Sequence, residues 1–256
     1  MIVTIIAGAR PNFMKIAPII HEIIKQKKEN KNIDYKLIHT GQHYDKNLSQ
    51  TFFEELKIPK PHLNLEIGSG TQAEQTAGIM IAFEKYLSNN KTDVVLVVGD
   101  VTSTMACAIV AKKMLKKVVH VEGGIRSFDE TMPEEINRIV TDSLSDYFYV
   151  TSDYAIRNLK NEGVSKDKII LVGNTMIDTL IANINRLKAP EIYKELNLEP
   201  KKYIVLTLHR PANVDEENKL KIFLEKIVES SKKIPILFPT HPRTKSILEK
   251  LNINLP

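Results

Sequence analysis

Apolar positions in the 256-residue chain fall into two textures that alternate from the first residue onward. Short unbroken runs, "IVTIIAG" (2–8), "YKLIHT" (35–40), "DVVLVVGD" (93–100), "KVVHVE" (117–122), "YFYV" (147–150) and "KIILVG" (168–173), predict strands. Two more, "YIVLTLH" (203–209) and "IPILFPT" (234–240), follow later. Continuous rather than alternating hydrophobicity is expected of strands covered on both faces of a parallel sheet. Between them, "FMKIAPIIHEIIKQ" and "AEQTAGIMIAFEKYL" repeat apolar residues at spacings of three and four, which predicts amphipathic helices. Strand–helix alternation of this kind predicts an α/β, doubly wound architecture.

The texture changes near "LKAPEIYKELNLEPKKYIVL", where two prolines precede a fresh strand. Residues 1–175 are read as a complete Rossmann-like domain of six strands. Residues 176–256 supply a linker helix and the first part of a second Rossmann-like domain. Two strands with their helices seldom make a stable sheet alone, so the second domain is expected to be incomplete in this chain.

Composition narrows the function classes. A hydrophobic share of 43% is enough for a sizeable core, and the 26% charged residues are spread along the chain, as in a globular protein. Cys107 is the single cysteine, which rules out internal disulfides and argues against a thiolate metal site. No run has the length of a membrane span and the N-terminus lacks a signal-peptide pattern, so a cytoplasmic protein is expected. The net charge of +5, from 36 Lys+Arg against 31 Asp+Glu, comes from dispersed lysines and forms no basic-aromatic stripe, so nucleic acid is not an expected partner. The seven arginines behave differently. Arg10, Arg126, Arg138, Arg210 and Arg243 lie at or just after loops that follow predicted strands, a distribution that suits a phosphate- or carboxylate-bearing ligand.

Ligands of open α/β sheets bind at the carboxyl ends of the strands. Those ends read "GARPNFMK", "HTGQHYD", "GDVTST", "HVEGGIRS", "VGNT", "LHRPAN" and "PTHPR". Arg10 and Lys15 bracket a helix N-terminus suited to an anion, although Lys15 reads equally well as a solvated lysine. "GARPNFMK" is neither a GxGxxG nor a Walker sequence, so NAD and ATP gain no support. Asp100 is followed by three hydroxyl residues able to cap the next helix. His39 and His43 are four apart but separated by a glycine, and no HExxH or Cys/His cluster accompanies them, so no metal is expected. His209 and His241 end strands of the second unit; His21 and His62 read as structural or exposed, and Cys107 as helix core.

"HVEGGIRSFDETMPEEINR" (120–138) gathers five carboxylates, Glu122, Asp129, Glu130, Glu134 and Glu135. Thr131 and Glu134 have capping-box spacing, and the helix dipole favours both Glu134 and Glu135. Neither effect explains Glu122, at the end of an apolar strand before Gly123 and Gly124, which are read as leaving room for something to approach. A carboxylate there needs a partner or a task.

With "HTGQHYD", "HVEGGIR", "PEEINR", "GNTMID" and "LTLHRPAN" in this order, the whole chain resembles the non-hydrolysing UDP-N-acetylglucosamine 2-epimerases. The resemblance implies a glycosyltransferase-B-like pair of Rossmann-like domains, a homodimer, and interconversion of UDP-GlcNAc and UDP-ManNAc with no cofactor and no metal. The family route eliminates UDP to give 2-acetamidoglucal and adds it back with the proton on the other face. By motif, Asp100, Glu122 and Glu134 match catalytic carboxylates; Arg10, Lys15 and His209 match groups near the UDP phosphates or sugar. His209, Arg210 and Asn213 match "HRxEN", in which Ala212 here replaces the acid. Gln42 and Arg210 match positions implicated in allosteric control by UDP-GlcNAc in bacterial relatives. Family members continue into a serine/glycine-rich nucleotide loop, a ribose-binding glutamate and a returning helix, so a longer second domain is expected to be needed for full activity. Three alternatives remain open on sequence: a hydrolysing epimerase releasing ManNAc and UDP, a glycosyltransferase of the same fold, and an inactive nucleotide-sugar binding module.

Overall fold

A computed structural model describes residues 1–41, 53–208, 211–240 and 242–250, without the side chains of Pro211, Ala212 and Arg243. Gln42, His43, His209, Arg210 and His241 therefore lie outside the described residues. The chain divides into two compact units, Met1–Arg186 and Leu187–Pro256.

The first unit is built on a parallel sheet. Its strands are β1 (Ile2–Ala7), β2 (Asp34–His39), β3 (Leu63–Asn64), β4 (Val94–Val98), β5 (Lys117–Val121), β6 (Tyr147–Val150) and β7 (Ile169–Leu171). They lie in the order β3-β2-β1-β4-β5-β6-β7, every neighbouring pair parallel. The helices are α1 (Arg10–Lys28), α2 (Gln72–Asn89), α3 (Thr102–Lys113), α4 (Pro133–Leu144), α5 (Asp153–Asn161) and α6 (Thr175–Asn183). The strands read as unbroken apolar runs because both faces are covered. Val3, Ile5 and Ala7 of β1 join Leu96 and Val98 of β4 against Phe13, Ile16 and Ile20 of α1. Their sheet neighbours Ile6, Val95 and Val97 pack on the other face with Ile79 and Phe83 of α2 and with Cys107 and Val110 of α3. Cys107 is fully buried, and burial pushes its thiol pKa up.

Two features depart from the expected frame. Among the described residues the sheet has seven strands, not six, because Leu63–Asn64 pairs with Ile38–His39. The first unit also runs past residue 175 to Arg186. Helix α6 packs on α1, with the Thr179 hydroxyl donating to the Met14 carbonyl at 2.6 Å, and Arg186 reaches the Glu55 carbonyl at 2.8 Å. His62 and His21 are structural: His62 Nδ1 accepts the Leu37 amide at 3.0 Å and His21 Nε2 meets the Lys57 carbonyl at 3.1 Å.

The second unit comprises α7 (Ile192–Glu195), β8 (Ile204–Val205), α8 (Pro211–Val214), α9 (Glu217–Ser230), β9 (Ile236–Leu237) and α10 (Pro242–Lys250). β8 and β9 form a two-stranded parallel sheet. Leu208, Val214, Leu220, Leu224 and Leu248 make its core, and the buried Thr244 hydroxyl donates to the Leu208 carbonyl. Among the described residues, no helix is long and apolar enough to cross a membrane.

Candidate active site

Connections leave β1 and β4, adjacent in the sheet, at the point where the strand order reverses, and an open α/β sheet forms its crevice there. The β1–α1 turn is held by Asn12. Its Oδ1 accepts the Gly8 and Ala9 amides at 3.0 and 2.9 Å, and its Nδ2 donates to the Val98 carbonyl at 3.2 Å. Asn12 was not singled out from sequence; the signal was a short amide side chain in the first turn of a helix. One turn on, Lys15 points inward and its ammonium lies 2.5 Å from Glu122 Oε2. The solvated-lysine reading is thereby set aside. Both side chains are largely removed from water, at 14% and 9% exposure.

Glu122 follows β5 and its amide still donates to the Tyr149 carbonyl at 2.8 Å, so the sheet anchors it. Its φ is +70°, a left-handed conformation costly for a side chain with a Cβ. Strain of this sort is held in place by surrounding structure and concentrates at functional positions. Gly99, with φ +70°, ends β4 beside the pair; a Cβ there would stand 3.1 Å from Lys15 Nζ and 3.8 Å from Glu122 Oε2. A side chain there would crowd the ammonium, and the positive φ favours glycine.

Asp100 comes next. Arg138 Nη2 donates to its Oδ2, and Asn137 Nδ2 to its backbone carbonyl at 2.8 Å. Asp100 keeps 31% side-chain exposure. The hydroxyls after it do not cap α3 as expected. The N-cap is Val101, with no side-chain cap, and the Thr104 hydroxyl donates back to the Val98 carbonyl at 2.9 Å.

The start of α4 differs from the sequence reading too. No capping box joins Thr131 to Glu134: the N-cap is Met132 without a side-chain cap, and Thr131 bonds Asp129. Glu135 takes the structural task. It is buried and accepts from the Ser127 amide and hydroxyl, the Phe128 amide and Arg138 Nη1, at 2.7 to 3.0 Å. Burial alone would raise its pKa, but these donors hold it down to about 2. The capping-box spacing fits Glu134 one residue off, which leaves Glu134 exposed in the first turn. Glu134 lies three and four residues before Asn137 and Arg138, hence on the helix face that holds Asp100.

This gives a stability prediction. Because the folded Glu135 carboxyl ionises more readily than the unfolded one, its contribution is full above about pH 4.5 and disappears as pH falls through about 2. At about 1.4 kcal/mol per pH unit, the loss is on the order of 3 kcal/mol. Acid titration of unfolding free energy should show that slope, and Glu135→Gln should flatten it. An unchanged slope would exclude Glu135 as its source.

Two of the five arginines read as ligand-directed are instead bound to carboxylates of the protein. Arg138 bridges Asp100 and Glu135, and it sits inside α4. Arg126 is buried between Asp142 (2.7 Å) and Glu162 (2.6 Å). Asp142 also meets His120, whose Nδ1 lies 2.6 Å from Oδ1 and whose Nε2 lies 2.8 Å from the Gly99 carbonyl. The glycine pair does not leave the expected space. A Cβ on Gly123 would stand 2.9 Å from Phe148, and one on Gly124 would stand 2.5 Å from the Ala155 carbonyl, so the approaching groups are the protein's own.

Of the remaining candidates, Arg10 is exposed at the start of α1 and Asn213 is exposed on α8 of the second unit. His39 is buried at the end of β2, and burial lowers its pKa. Among the described residues, no group of three His, Cys, Asp or Glu side chains is disposed to hold a metal ion.

The sequence profile of a family described as UDP-N-acetylglucosamine 2-epimerase matches residues 25–255. A UDP-N-acetylglucosamine 2-epimerase of Methanocaldococcus jannaschii is 43% identical, over 99% of this chain and 69% of its own length. A UDP-2,3-diacetamido-2,3-dideoxy-D-glucuronate 2-epimerase of Pseudomonas aeruginosa is 40% identical, over 99% of this chain and 70% of its own. The crystal structure of M. jannaschii UDP-GlcNAc 2-epimerase in complex with UDP-GlcNAc and UDP superposes with a TM-score of 0.83 at 44% identity, covering 98% of this chain and 69% of the other.

Proposed function

The chain belongs to the UDP-N-acetylglucosamine 2-epimerase family, and from that premise we propose that it interconverts UDP-GlcNAc and UDP-ManNAc by the non-hydrolysing route. The observation that carries the chemistry is the convergence of Glu122, Lys15 and the Gly99-Asp100 turn where strands β1, β4 and β5 end. In this reading a carboxylate takes the proton from carbon 2 while the bond from carbon 1 to the UDP oxygen breaks. The electron pair of the C–H bond becomes the C1–C2 double bond, and UDP leaves with the pair of the C–O bond. UDP then re-adds at carbon 1 as a second acid delivers a proton to the opposite face of carbon 2. Such a reaction needs acid/base groups on either side of one ring and an anion site for the leaving group. Glu122, Asp100 and Glu134 are assigned to the first task. Arg10, Lys15, His209, Arg210 and Asn213 are assigned to the second, with His209 close enough in role to count among the catalytic groups. Gln42 and Arg210 are the candidates for regulation by UDP-GlcNAc.

A homodimer, implied by the family resemblance, belongs to the same reading. The P. aeruginosa relative adds a second substrate reading, the same inversion on a 2,3-diacetamido glucuronate. One experiment addresses both. Each sugar nucleotide is incubated with the protein in deuterium oxide. UDP-GlcNAc should return UDP-ManNAc carrying deuterium at carbon 2, because the departing proton exchanges with solvent at a carboxylate. Label appearing only with the diacetamido glucuronate would move the substrate assignment. Free ManNAc would indicate hydrolysis, and product without label at carbon 2 would end the elimination mechanism.

A further inference from the structure

Beneath the two acid-bearing turns lies a buried set of charges that the reaction does not consume. His120 and Asp142 are each 1% exposed at the side chain. The imidazole faces an oxygen at both nitrogens: Asp142 Oδ1 at Nδ1 and the Gly99 carbonyl at Nε2. A neutral ring has one N–H and would leave a lone pair against an oxygen, whereas the imidazolium satisfies both. Asp142 is kept ionised from its other oxygen, which accepts Arg126 Nη1 at 2.7 Å and the Gly124 amide at 3.0 Å. The cations His120 and Arg126 are balanced by Asp142 and Glu162.

The link has a direction along the chain. Gly99, whose carbonyl it holds, precedes Asp100; Gly124, whose amide it holds, lies two residues after Glu122. We propose that His120 and Asp142 are positioning residues, a buried imidazolium–carboxylate pair that fixes the Asp100 turn and the Glu122 turn relative to one another and so sets where the two acid/base groups stand. The proposal rests on the reading of Asp100 and Glu122 as those groups. Gly123 supports it independently. A Cβ there would stand 2.9 Å from the Phe148 ring, 3.2 Å from Asp142 Oδ1 and 3.3 Å from His120 Nδ1, so the loop is bare where it packs on this pair and on Phe148. Burial works against a charged His120, but the facing Asp142 carboxylate, with the Gly99 carbonyl and Glu122 adding to it, raises the pKa above its ordinary value. The charged groups around the ring are Asp142 on α4, Glu122 and Arg126 after β5, Lys15 from α1 on Glu122, and Glu162 past α5 on Arg126.

The test begins with ¹⁵N-histidine NMR of the unaltered protein, where the His120 ring should show both nitrogens protonated at pH 7. A neutral tautomer at pH 7 would overturn the proposal without any variant. In His120→Gln, which keeps a donor but no charge, kcat should fall about 30-fold or more while UDP affinity stays within about threefold. The pH–rate profile should also differ from that of the parent, since a buried cation has gone from beneath the two turns. Gly123→Ala keeps every donor and acceptor but pushes the pair as well as the Phe148 ring, and should give the same kcat loss together with shifted His120 ring resonances if His120→Gln does not fold. A folded His120→Gln protein with near-normal kcat and an unmoved profile overturns the proposal. Glu122→Gln separates the two levels: if it is inactive while His120→Gln is normal, the positioning role alone fails, whereas an active Glu122→Gln removes the catalytic reading.

Discussion

Glu122→Gln is expected to fold normally and to lower turnover by roughly 100-fold or more, the usual scale for removing an acid/base group. The substitution is close to isosteric. The amide oxygen can still accept from Lys15, and the left-handed backbone at residue 122 is unchanged in cost. What disappears is the ability to take or give a proton, together with the charge that neutralises an ammonium of 14% exposure. Leaving that ammonium unneutralised should lower the melting temperature, but the protein should remain folded while kcat collapses, and the deuterium label at carbon 2 should vanish in parallel. A turnover within a few-fold of the parent, measured on folded protein, would take Glu122 out of the mechanism.

Gly124→Ala should have the largest effect on stability. With φ at +80°, any side chain at this position meets a left-handed penalty of about 1–2 kcal/mol. The new methyl would also stand 2.5 Å from the Ala155 carbonyl and 2.8 Å from Leu159 Cγ, at the foot of α5. Backbone cannot step aside cheaply, and overpacking of this kind adds about 1–3 kcal/mol. A combined loss of about 2–5 kcal/mol is expected from chemical denaturation. Gly163→Ala is the control: it shares a positive φ of 84° but has nothing within 4 Å of the added Cβ. Equal losses in the two would show that conformation alone, not the contact with α5, makes Gly124 necessary.

The frame was legible because its strands are buried on both faces, which writes the sheet into the sequence as unbroken runs of Val, Ile and Leu. β3 was missed since two residues, Leu63 and Asn64, carry no run at all. Lys15 and Glu122 were legible as candidates by position at strand ends, but their ion pair, 107 residues apart, was not. The capping box failed through a shift of one residue. Thr131 and Glu134 have the right spacing, yet the amides needing an acceptor belong to Ser127 and Phe128, and only Glu135 faces them. The link joining His120, Asp142 and Arg126 stayed hidden for a similar reason. Each sits in a different element, and only the packing of α4 against β5 turns one acid toward a histidine and an arginine together.

Strand order also determines how the site must be assembled in time. β4 through β7 are joined by connections of modest length, so the half of the sheet bearing Asp100, His120 and Glu122 needs only short closures. Joining β1 to it, through Val3↔Val94 and the Thr4–Thr92 hydroxyl pair, closes a loop of 88 residues or more. Loop-closure entropy for such a span is on the order of 4 kcal/mol, set against a handful of central-strand contacts. Slow, long-range pairing of this type dominates the folding rates of parallel sheets. The lysine that meets Glu122 thus arrives with the long-range joining of β1 to β4, and the finished pair marks the closing of the central joint.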